Sequence, residues 1–518
     1  RRLSAVEQWR GPYHLLRPLL APLGRWLLAV IFLAHEATIA ITAITRALWR
    51  MHVSRRYLLE WTSAAHSAEE VSQTGWGTWR EMMAAPLLSL VIALLLAALT
   101  PSALLGASPL LVLWFISPHI AWLISKPRPL IVEELAAADR QYLRLIARRT
   151  WLYFETFAGP DDNWLPPDNY QAPPHEETAH RSSPTNVGML FLSALTALDL
   201  GHIGRRDLEA RIAAALDALD RLESPHGHTL NWFDTRTLES LAPRYISTVD
   251  SGNLAVCLLT LSAGCREAAT GSLLPASRWE GLADTLQLLR ESLVDLSGRE
   301  QGAITVHLDA MLKQLSQVRL APQNWYGALA KLSQQDWPQV TKAINAVLQE
   351  GVGVDGQEIH VWLKRSEHHL MTLRRDLNAF APWYSLIENA PSSLVQESSF
   401  LATLPQPNAD FRAAMHGIKQ AQQALAQQMV TAQNQQWLLD MNQALTQGEA
   451  ACREVHDKLL MCAERAEARA FSMDFRSLYD NETHTFVIGH NLDTGQLDPN
   501  HYDLLASEAR LASYFAIA

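Results

Sequence analysis

Met82–Ser125 reads MMAAPLLSLVIALLLAALTPSALLGASPLLVLWFISPHIAWLIS, 44 residues without an Asp, Glu, Lys or Arg. Pro101 breaks the run, which predicts two spans, about Met82–Leu99 and about Ala103–Ile124. Each comes near the ~20 residues that cross a bilayer core. A buried hairpin in a soluble core is the alternative, but such cores rarely go so long without charge. The run is internal and paired, so it is no signal peptide. Arg46, Arg50, Arg55, Arg56 and Arg80 precede it, and Lys126 and Arg128 follow it. The turn between the spans is uncharged, so the positive-inside rule puts both ends in the cytoplasm.

Upstream, Trp26–Thr45 is also apolar but carries His35 and Glu36 at its middle. A carboxylate at mid-bilayer depth costs about 3 kcal/mol. The segment is therefore either a span packed inside a bundle or a helix lying in the interface. Arg46–Trp61 mixes Arg, Trp, Leu and Tyr in the manner of an interfacial amphipathic helix.

Downstream of Pro127 and Pro129 the character changes. Ile131–Leu152 reads as a soluble helix of mixed charge. Val187–Leu200 reads as a buried helix stopped by Gly201. Asp207–Leu222 puts Leu208, Ile212, Ala215, Leu216, Leu219 and Leu222 on one helical face. His226–Asp250 reads as a polar-aromatic loop, and Leu254–Glu267 as another apolar helix. Short helices alternating with Asn-, Asp-, Trp- and His-rich loops predict helical hairpins stacked in a ring, with chemistry on one rim. Trp279–Ala470 reads as long helices without a catalytic constellation, a helical insert or coiled arm. Ser477–Asn491 predicts a β-hairpin, with Tyr479, Asp480 and Asn481 opening the turn, and a helix follows from Asp503.

At 518 residues the chain has room for three or four domains of roughly 150 residues. A net charge of -10, from 43 basic and 53 acidic residues, argues against a nucleic-acid partner. Hydrophobic residues at 48% and charged residues at 19% exclude disorder over most of the length. Cys257, Cys265, Cys452 and Cys462 form no C-x-x-C pair, which weakens zinc and thiol-redox readings and suits a reducing compartment. Trp, at 17, outnumbers Phe, at 13. Indole belongs at membrane interfaces and against the apolar faces of sugars. The chain has no initiator Met and stops within an apolar helical pattern, Leu504–Ala518, so a piece of a longer protein is expected.

His175 and His180 invite a metal reading, but their spacing of five does not place both rings on one helix face, and Pro173-Pro174 makes the segment a loop. Asn481-Glu482-Thr483 is a formal glycosylation sequon with no meaning in a cytoplasmic domain. Three other loops carry the candidate site: Trp164–Tyr170, Arg181–Gly188, and Asn231–Arg236 continuing to Ser247–Asn253. A polyol needs planar donors and acceptors beside an aromatic platform. Trp164 with Asp168 and Trp232 with Asp234 fit a sugar cleft. Thr185, Ser247 and Asp250 sit where helix N-caps belong, and the sequence does not choose between capping and sugar binding for them.

Val53–Thr62 (VSRRYLLEWT) followed by the two spans resembles the end of the synthase region of cyclic β-1,2-glucan synthases. WLPPDNYQ (Trp164–Gln171), HRSSPTNVG (His180–Gly188), NWFDTRTLESLAPRYISTVDSGNLA (Asn231–Ala255), FSMDFRSLYD (Phe471–Asp480) and LDPNHYDLLASEARLASYFAIA (Leu497–Ala518) resemble the next domain of the same family, in the same order. The likeness is weakest over about 270–470.

The resemblance implies a large bacterial inner-membrane enzyme. Its transferase polymerises glucose from UDP-glucose, with a divalent metal bound before Arg1. Its (α/α)6-barrel middle domain cyclises the glucan by retaining transglycosylation, and a phosphorylase-like domain lies downstream. Retention needs two carboxyls about 5–5.5 Å apart, and the family's pair would lie after Ala518. No catalytic residue is therefore assigned in this chain, nor a cofactor or metal. Trp164, Asp168, Asn169, Arg181, Asn186, Trp232, Asp234, Asp250 and Asn253 become candidate glucan ligands.

The expected fold is mainly α. Membrane-proximal helices over 1–81 and a transmembrane hairpin over 82–125 lead to the first barrel helices over 131–270. A helical insert over 271–470 and a β-hairpin with continuing barrel over 471–518 follow. The expected partners are the β-1,2-glucan chain, the lipid bilayer, and the transferase and phosphorylase-like domains of the same polypeptide. The alternative is a non-catalytic, membrane-anchored glucan-binding or scaffold module with the Gln-rich helices as its working surface.

Overall fold

The computed structural model describes residues 13–55, 75–126, 135–294, 298–349, 356–387, 390–391, 399–427, 434–502 and 510–517. Several expectations fall partly outside these residues: the ends of the helices read from Arg46 to Trp61 and from Ile131, and the start of the one read from Asp503. The chain divides into two compact units, 1–134 and 135–518.

The first unit is helical. α1 (Tyr13–Trp49) runs into a π-helical turn, Arg50–Ser54. α2 (Gly75–Glu81) is bent by 62° from α3 (Ala84–Leu99), and α4 (Pro101–Ile124) follows. Pro101 opens α4 at a position whose N–H has no helical partner to lose. α1, α3 and α4 pack against one another. Their shared interior is narrow, with Ile31, Ala34, Ala85, Ser89 and Leu111 buried. Leu94, Leu99 and Leu105 point outward and are exposed.

Small residues inside and leucine outside reverse the soluble pattern and suit a lipid surround. Two polar contacts tie the helices: Ser89 Oγ donates to the Leu111 carbonyl at 2.7 Å, and Trp114 Nε1 to the Val30 carbonyl at 3.0 Å. Among the described residues, α4 and the stretch Pro22–Ser54 are long and apolar enough to cross a membrane. The 16-residue α3 reaches that length only with α2 as one bent span. The helix of the first predicted span begins at Ala84, after a turn at Met82-Met83.

The second unit opens with α5 (Ala137–Phe157), α6 (Pro184–Asp199), α7 (Arg205–Arg221), α8 (Thr248–Thr270) and α9 (Ser277–Ser292). α10 (Gly298–Val318), α11 (Trp325–Lys331), α12 (Trp337–Gln349), α13 (Gln357–Phe380), α14 (Tyr384–Ile387), α15 (Phe411–Ala426), α16 (Gln435–Phe471) and α17 (Arg510–Ile517) follow. The predicted apolar face of α7 is buried throughout, Leu208, Ile212, Ala215, Leu216 and Leu219 included. Gly201 ends the turn after α6 at φ +79°, against the Ser277 carbonyl, where a Cβ has no room.

α8 is the hub. α6, α16 and α17 all lie on it, and α16 also covers α7. Gly188 of α6 allows close approach to Cys257, and Gly252 to Ala512 of α17. Segment 271–470, set apart in sequence as an insert, therefore shares its core with the front helices.

His226–Asp250 departs from the expected loop. β4 (Asn231–Asp234) and β5 (Ser240–Ser247) join β3 (Arg181–Ser182), β8 (Gly489–Asn491) and β9 (Gln496–Leu497) in one antiparallel sheet ordered β3-β4-β5-β8-β9. The strands are short and their partners distant, which local sequence does not reveal. The predicted hairpin forms as β6 (Tyr479–Asp480) and β7 (Thr485–Phe486). A further ribbon pairs β1 (Tyr170–Gln171) with β2 (Glu177–Thr178), which includes the end of the His-Glu-Glu-Thr run.

Buried charges weld α13 to the front helices. Arg148 of α5 pairs with Glu155 at 3.0 Å and donates to Thr285 Oγ1 of α9 at 3.0 Å. Arg278 donates to the Gly201 carbonyl and to Thr372 Oγ1, both at 3.0 Å. Arg375 pairs with Asp207 of α7 at 2.9 Å. Amid these guanidinium groups, His369 Nε2 donates to the Arg278 carbonyl at 3.1 Å. Burial, then Arg278 and Arg148, hold the His369 pKa well below the ordinary 6.5.

The folded state therefore needs His369 neutral, and the unfolded chain binds its proton more tightly. Stability is complete above the ordinary histidine value and declines as pH falls through it. The thermal midpoint is expected to drop from pH 7.5 to 5.5, and His369→Gln, which keeps a donor for the Arg278 carbonyl, to flatten that decline. Equal slopes for the two proteins in a fluorescence melt would contradict this.

Candidate functional site

The loop between α5 and β1 is built by turn chemistry. Asn163 and Trp164 take left-handed φ values of 51° and 62°. The Asn163 amide donates to the carbonyls of Thr235 and Arg236, both at 2.9 Å. Buried Asp162 accepts from Thr235 Oγ1 at 2.5 Å and pairs with His180 Nδ1 at 2.8 Å. Tyr153 of α5 donates to the Pro167 carbonyl at 2.7 Å. Burial, with Asp168 and Asp162 near by, pushes its hydroxyl pKa up to about 12, so it stays a donor. Tyr153, Asp162, Asn163, His180 and Thr235 thus fix the loop that presents Asp168. Of these, His180 and Thr235 lie in stretches already singled out from the sequence, whereas Tyr153 and Asp162 gave no signal of this role.

Asp168 collects three of the candidates. Its carboxylate accepts from the Asn169 amide at 3.0 Å, from Arg181 at 3.3 Å and from the Asn186 amide at 3.3 Å. The Arg181 guanidinium lies over the Trp232 ring, 5.1 Å from its centroid. Carboxylate, two amides, guanidinium and indole are therefore contiguous. The Arg181 side chain is half exposed. A solvent-facing pair of this kind is worth little to stability.

The other candidates sit around this cluster or apart from it. Asp234 is the cross-strand partner of Arg181, but its Oδ1 accepts the backbone N–H groups of Arg236 and Thr237, each at 2.8 Å. Partial burial opposes its ionisation, yet the Thr237 and Arg236 amides hold its pKa below the ordinary value. Asp250 accepts from the Asn231 amide at 2.9 Å, and Asn253 donates to Thr185 Oγ1 at 3.0 Å.

Of the two readings left open for Ser247, the structure shows capping: its hydroxyl accepts the Asp250 N–H at the start of α8. On α6 the cap is Ser183, not Thr185, because Pro184 occupies the first helical position. Trp164 stands in a separate group, its ring 5.5 Å from the Arg211 guanidinium, which also lies over Trp151. Among the described residues no group of three His, Cys, Asp or Glu side chains is placed to hold a metal.

Carboxylate, amides, guanidinium and indole thus meet at one strand edge of a mainly helical unit. No family model matches the chain. Over 502 residues, 95% of its length, it is 33% identical to the cyclic β-(1,2)-glucan synthase NdvB of Rhizobium meliloti (strain 1021). The resemblance stated from the sequence is thereby shown. The chain spans 15% of that protein. A solved structure from Bacteroides fragilis NCTC 9343, provisionally named a glucoamylase, matches 38% of this chain and 40% of its own at 15% identity and a TM-score of 0.20. That superposition is too loose to carry any statement about the fold.

Asp234→Ala is expected to destabilise the second unit by about 1–2 kcal/mol, the worth of two amide bonds to a partly exposed carboxylate. Asp234→Asn keeps the Oδ1 acceptor and stays near wild type. Urea unfolding of the three proteins checks this, and equal midpoints for Ala and wild type would refute it.

Proposed function

We propose that this chain is a glucan-handling segment of a membrane-bound cyclic β-1,2-glucan synthase. In this reading the helices of the first unit cross the bacterial inner membrane, with the second unit on the cytoplasmic side. The second unit is the front of an (α/α)6-type transglycosylase barrel. The parent polymerises glucose from UDP-glucose and closes the ring by retaining transglycosylation. The segment holds the growing glucan. Trp232 stacks on a glucose ring, while Asp168, Asn169, Arg181 and Asn186 exchange hydrogen bonds with hydroxyls. Asp250 and Asn253 extend the polar surface, and Trp164 offers a second platform.

The observation that carries this reading is the contact chain from partly buried Asp168 through exposed Arg181 to partly buried Trp232, in a chain 33% identical to a glucan synthase over 95% of its length. A non-catalytic anchored glucan-binding module is the second reading. In it the chain, as a scaffold or glucan-binding module, has no chemistry of its own and the Gln-rich helices are its working surface.

The test uses the full-length protein in membranes supplied with UDP-glucose, with glucans analysed by mass spectrometry. Trp232→Ala removes the platform, an expected loss of about 1.4 kcal/mol or tenfold in glucan affinity. Cyclic product, one water lighter than linear, should fall while linear chain synthesis continues. Unchanged cyclisation and unchanged β-1,2-glucan affinity by calorimetry would overturn the assignment of the cluster. Absence of any cyclic product from the wild type would favour the second reading.

A further inference from the structure

The C-terminal halves of α6 and α8 border a cavity of about 690 Å³, lined among others by Leu192, Leu195, Asp199, Arg205, Glu267 and Gly271. That volume is within the ~300–1,000 Å³ typical of small-molecule sites. Asp199 ends α6, about 20 Å along the helix from Asn186. The cavity is therefore separate from the Asp168 cluster.

Arg205, the first residue of α7, is only 6% exposed. Its Nε donates to the Ala268 carbonyl at 2.6 Å, which closes the end of α8. That contact uses one of the guanidinium N–H groups. Nη1 is buried, and among the described residues nothing accepts from it. Nη2 lies beside Gly271, where a Cβ would stand 2.7 Å from it. Among the described residues no carboxylate forms an ion pair with Arg205. Burial pulls its pKa down to about 10, against the pull of Asp199 and Asp376, so it is a cation at neutral pH. A desolvated charge is costly unless it is paired and hydrogen-bonded. Capping of α8 accounts for Nε and leaves the rest of the fork without an acceptor.

Two carboxylates line the same cavity, those of Asp199 and Glu267. Partial burial and the Glu267 charge raise the Asp199 pKa, while Arg205 opposes them. A positive group between the carboxylates would relieve their repulsion. These charges select the ligand. A simple anion would meet Arg205 but be repelled by Asp199 and Glu267. A simple cation would meet the carboxylates but be repelled by Arg205. A small molecule that carries both a carboxylate and an ammonium satisfies all three. None of the lining residues is aromatic, so a glucose ring has no platform here. Leu192, Leu195 and Pro275 offer an aliphatic wall instead.

We propose that this cavity binds a small zwitterion, an α-amino acid with an aliphatic side chain. Its carboxylate accepts from the Arg205 fork beside Gly271, and its ammonium lies against Asp199 and Glu267.

The experiment is isothermal titration calorimetry on the full-length protein in phospholipid nanodiscs, with empty nanodiscs as the blank. The ligands are L-leucine and L-alanine. 4-Methylpentanoate keeps the leucine carboxylate without the amine, and 3-methylbutylamine keeps the amine without the carboxylate. Leucine is expected to bind about tenfold more tightly than either analogue. Glu267→Gln should weaken leucine by about fivefold, the size of a partly exposed charge pair. Gly271→Ala should also weaken it. The Gly271 φ of −71° suits any residue, so the added Cβ acts on Nη2 rather than on the backbone. Circular dichroism melts confirm that both variants fold.

No binding heat from either amino acid at millimolar concentration would overturn the site. Equal affinity for 4-methylpentanoate would make it a plain anion site and refute the zwitterion. Leucine binding unchanged in both variants would place the amino acid elsewhere and refute the cavity. Glucose binding that is lost in Gly271→Ala would make the cavity a sugar subsite and likewise refute the proposal.

Discussion

The candidate site depends on one strand, β5, bonding on both its edges. On one side Asn231 of β4 faces Tyr245, and on the other Asn491 of β8 does. Backbone hydrogen bonds leave little freedom in register, since a slip of one residue would turn every side chain to the other face. β4 in turn sets Asp234 against Arg181. The starts of α6 and α8 are thus placed by main-chain pairing, while the loop bearing Asp168 is held as well by the side chains of Tyr153, Asp162, Asn163, His180 and Thr235. Beneath the strands, Leu230, Ile246, Phe475, Leu478, Phe486 and Val487 form a small second core, whose burial stabilises the pairing.

The larger core is unusual for the charge it contains. Arg148 and Arg278 are almost wholly buried, as are Asp284, His369 and Asp376. Desolvating such groups costs several kcal/mol each, which their pairing only partly offsets. Removing one partner from a buried pair typically costs about 3–5 kcal/mol, since the other charge is left stranded. The network contributes orientation more than stability. Each guanidinium has several directed donors, and here they reach α5, α7, α9 and α13 together. Apolar contacts alone would allow α13 to slide along α9, whereas the Arg278–Thr372 and Arg375–Asp207 contacts fix its register.

The two units solve opposite solvent problems. In the second, apolar side chains turn inward and arginines form ion pairs at the surface, as Arg465 does with Asp217 and Asp220. In the first, the outward surface is apolar, and Ala34, Ala85 and Ser89 share the interior with Ile31 and Leu111. The hydroxyls of Thr38, Thr42 and Thr45 donate to carbonyls one turn back on α1. Polar groups are thereby satisfied within the helix itself, as an apolar surround demands.

Much of the helical content was legible in the sequence, because helix formation is local. The face of α7, the stop at Gly201, the Ser247 cap and the break at Pro101 each follow from residues within a few positions of one another. The 44-residue uncharged run, the β6–β7 turn and the family resemblance were legible for the same reason. The strands β4, β5 and β8 were not, since Tyr245 and Asn491 have no local reason to pair. Nor was the membership of α13 in the core: the stretch read as part of a helical insert or coiled arm, and only its contacts with Arg278 and Asp207, far off in sequence, place it against the front helices. Tertiary structure likewise decided that Asp168, Arg181 and Trp232 meet while Trp164 stands apart with Arg211. Periodicity and capping act over one or two turns, whereas register and charge burial depend on partners that only the folded chain brings together.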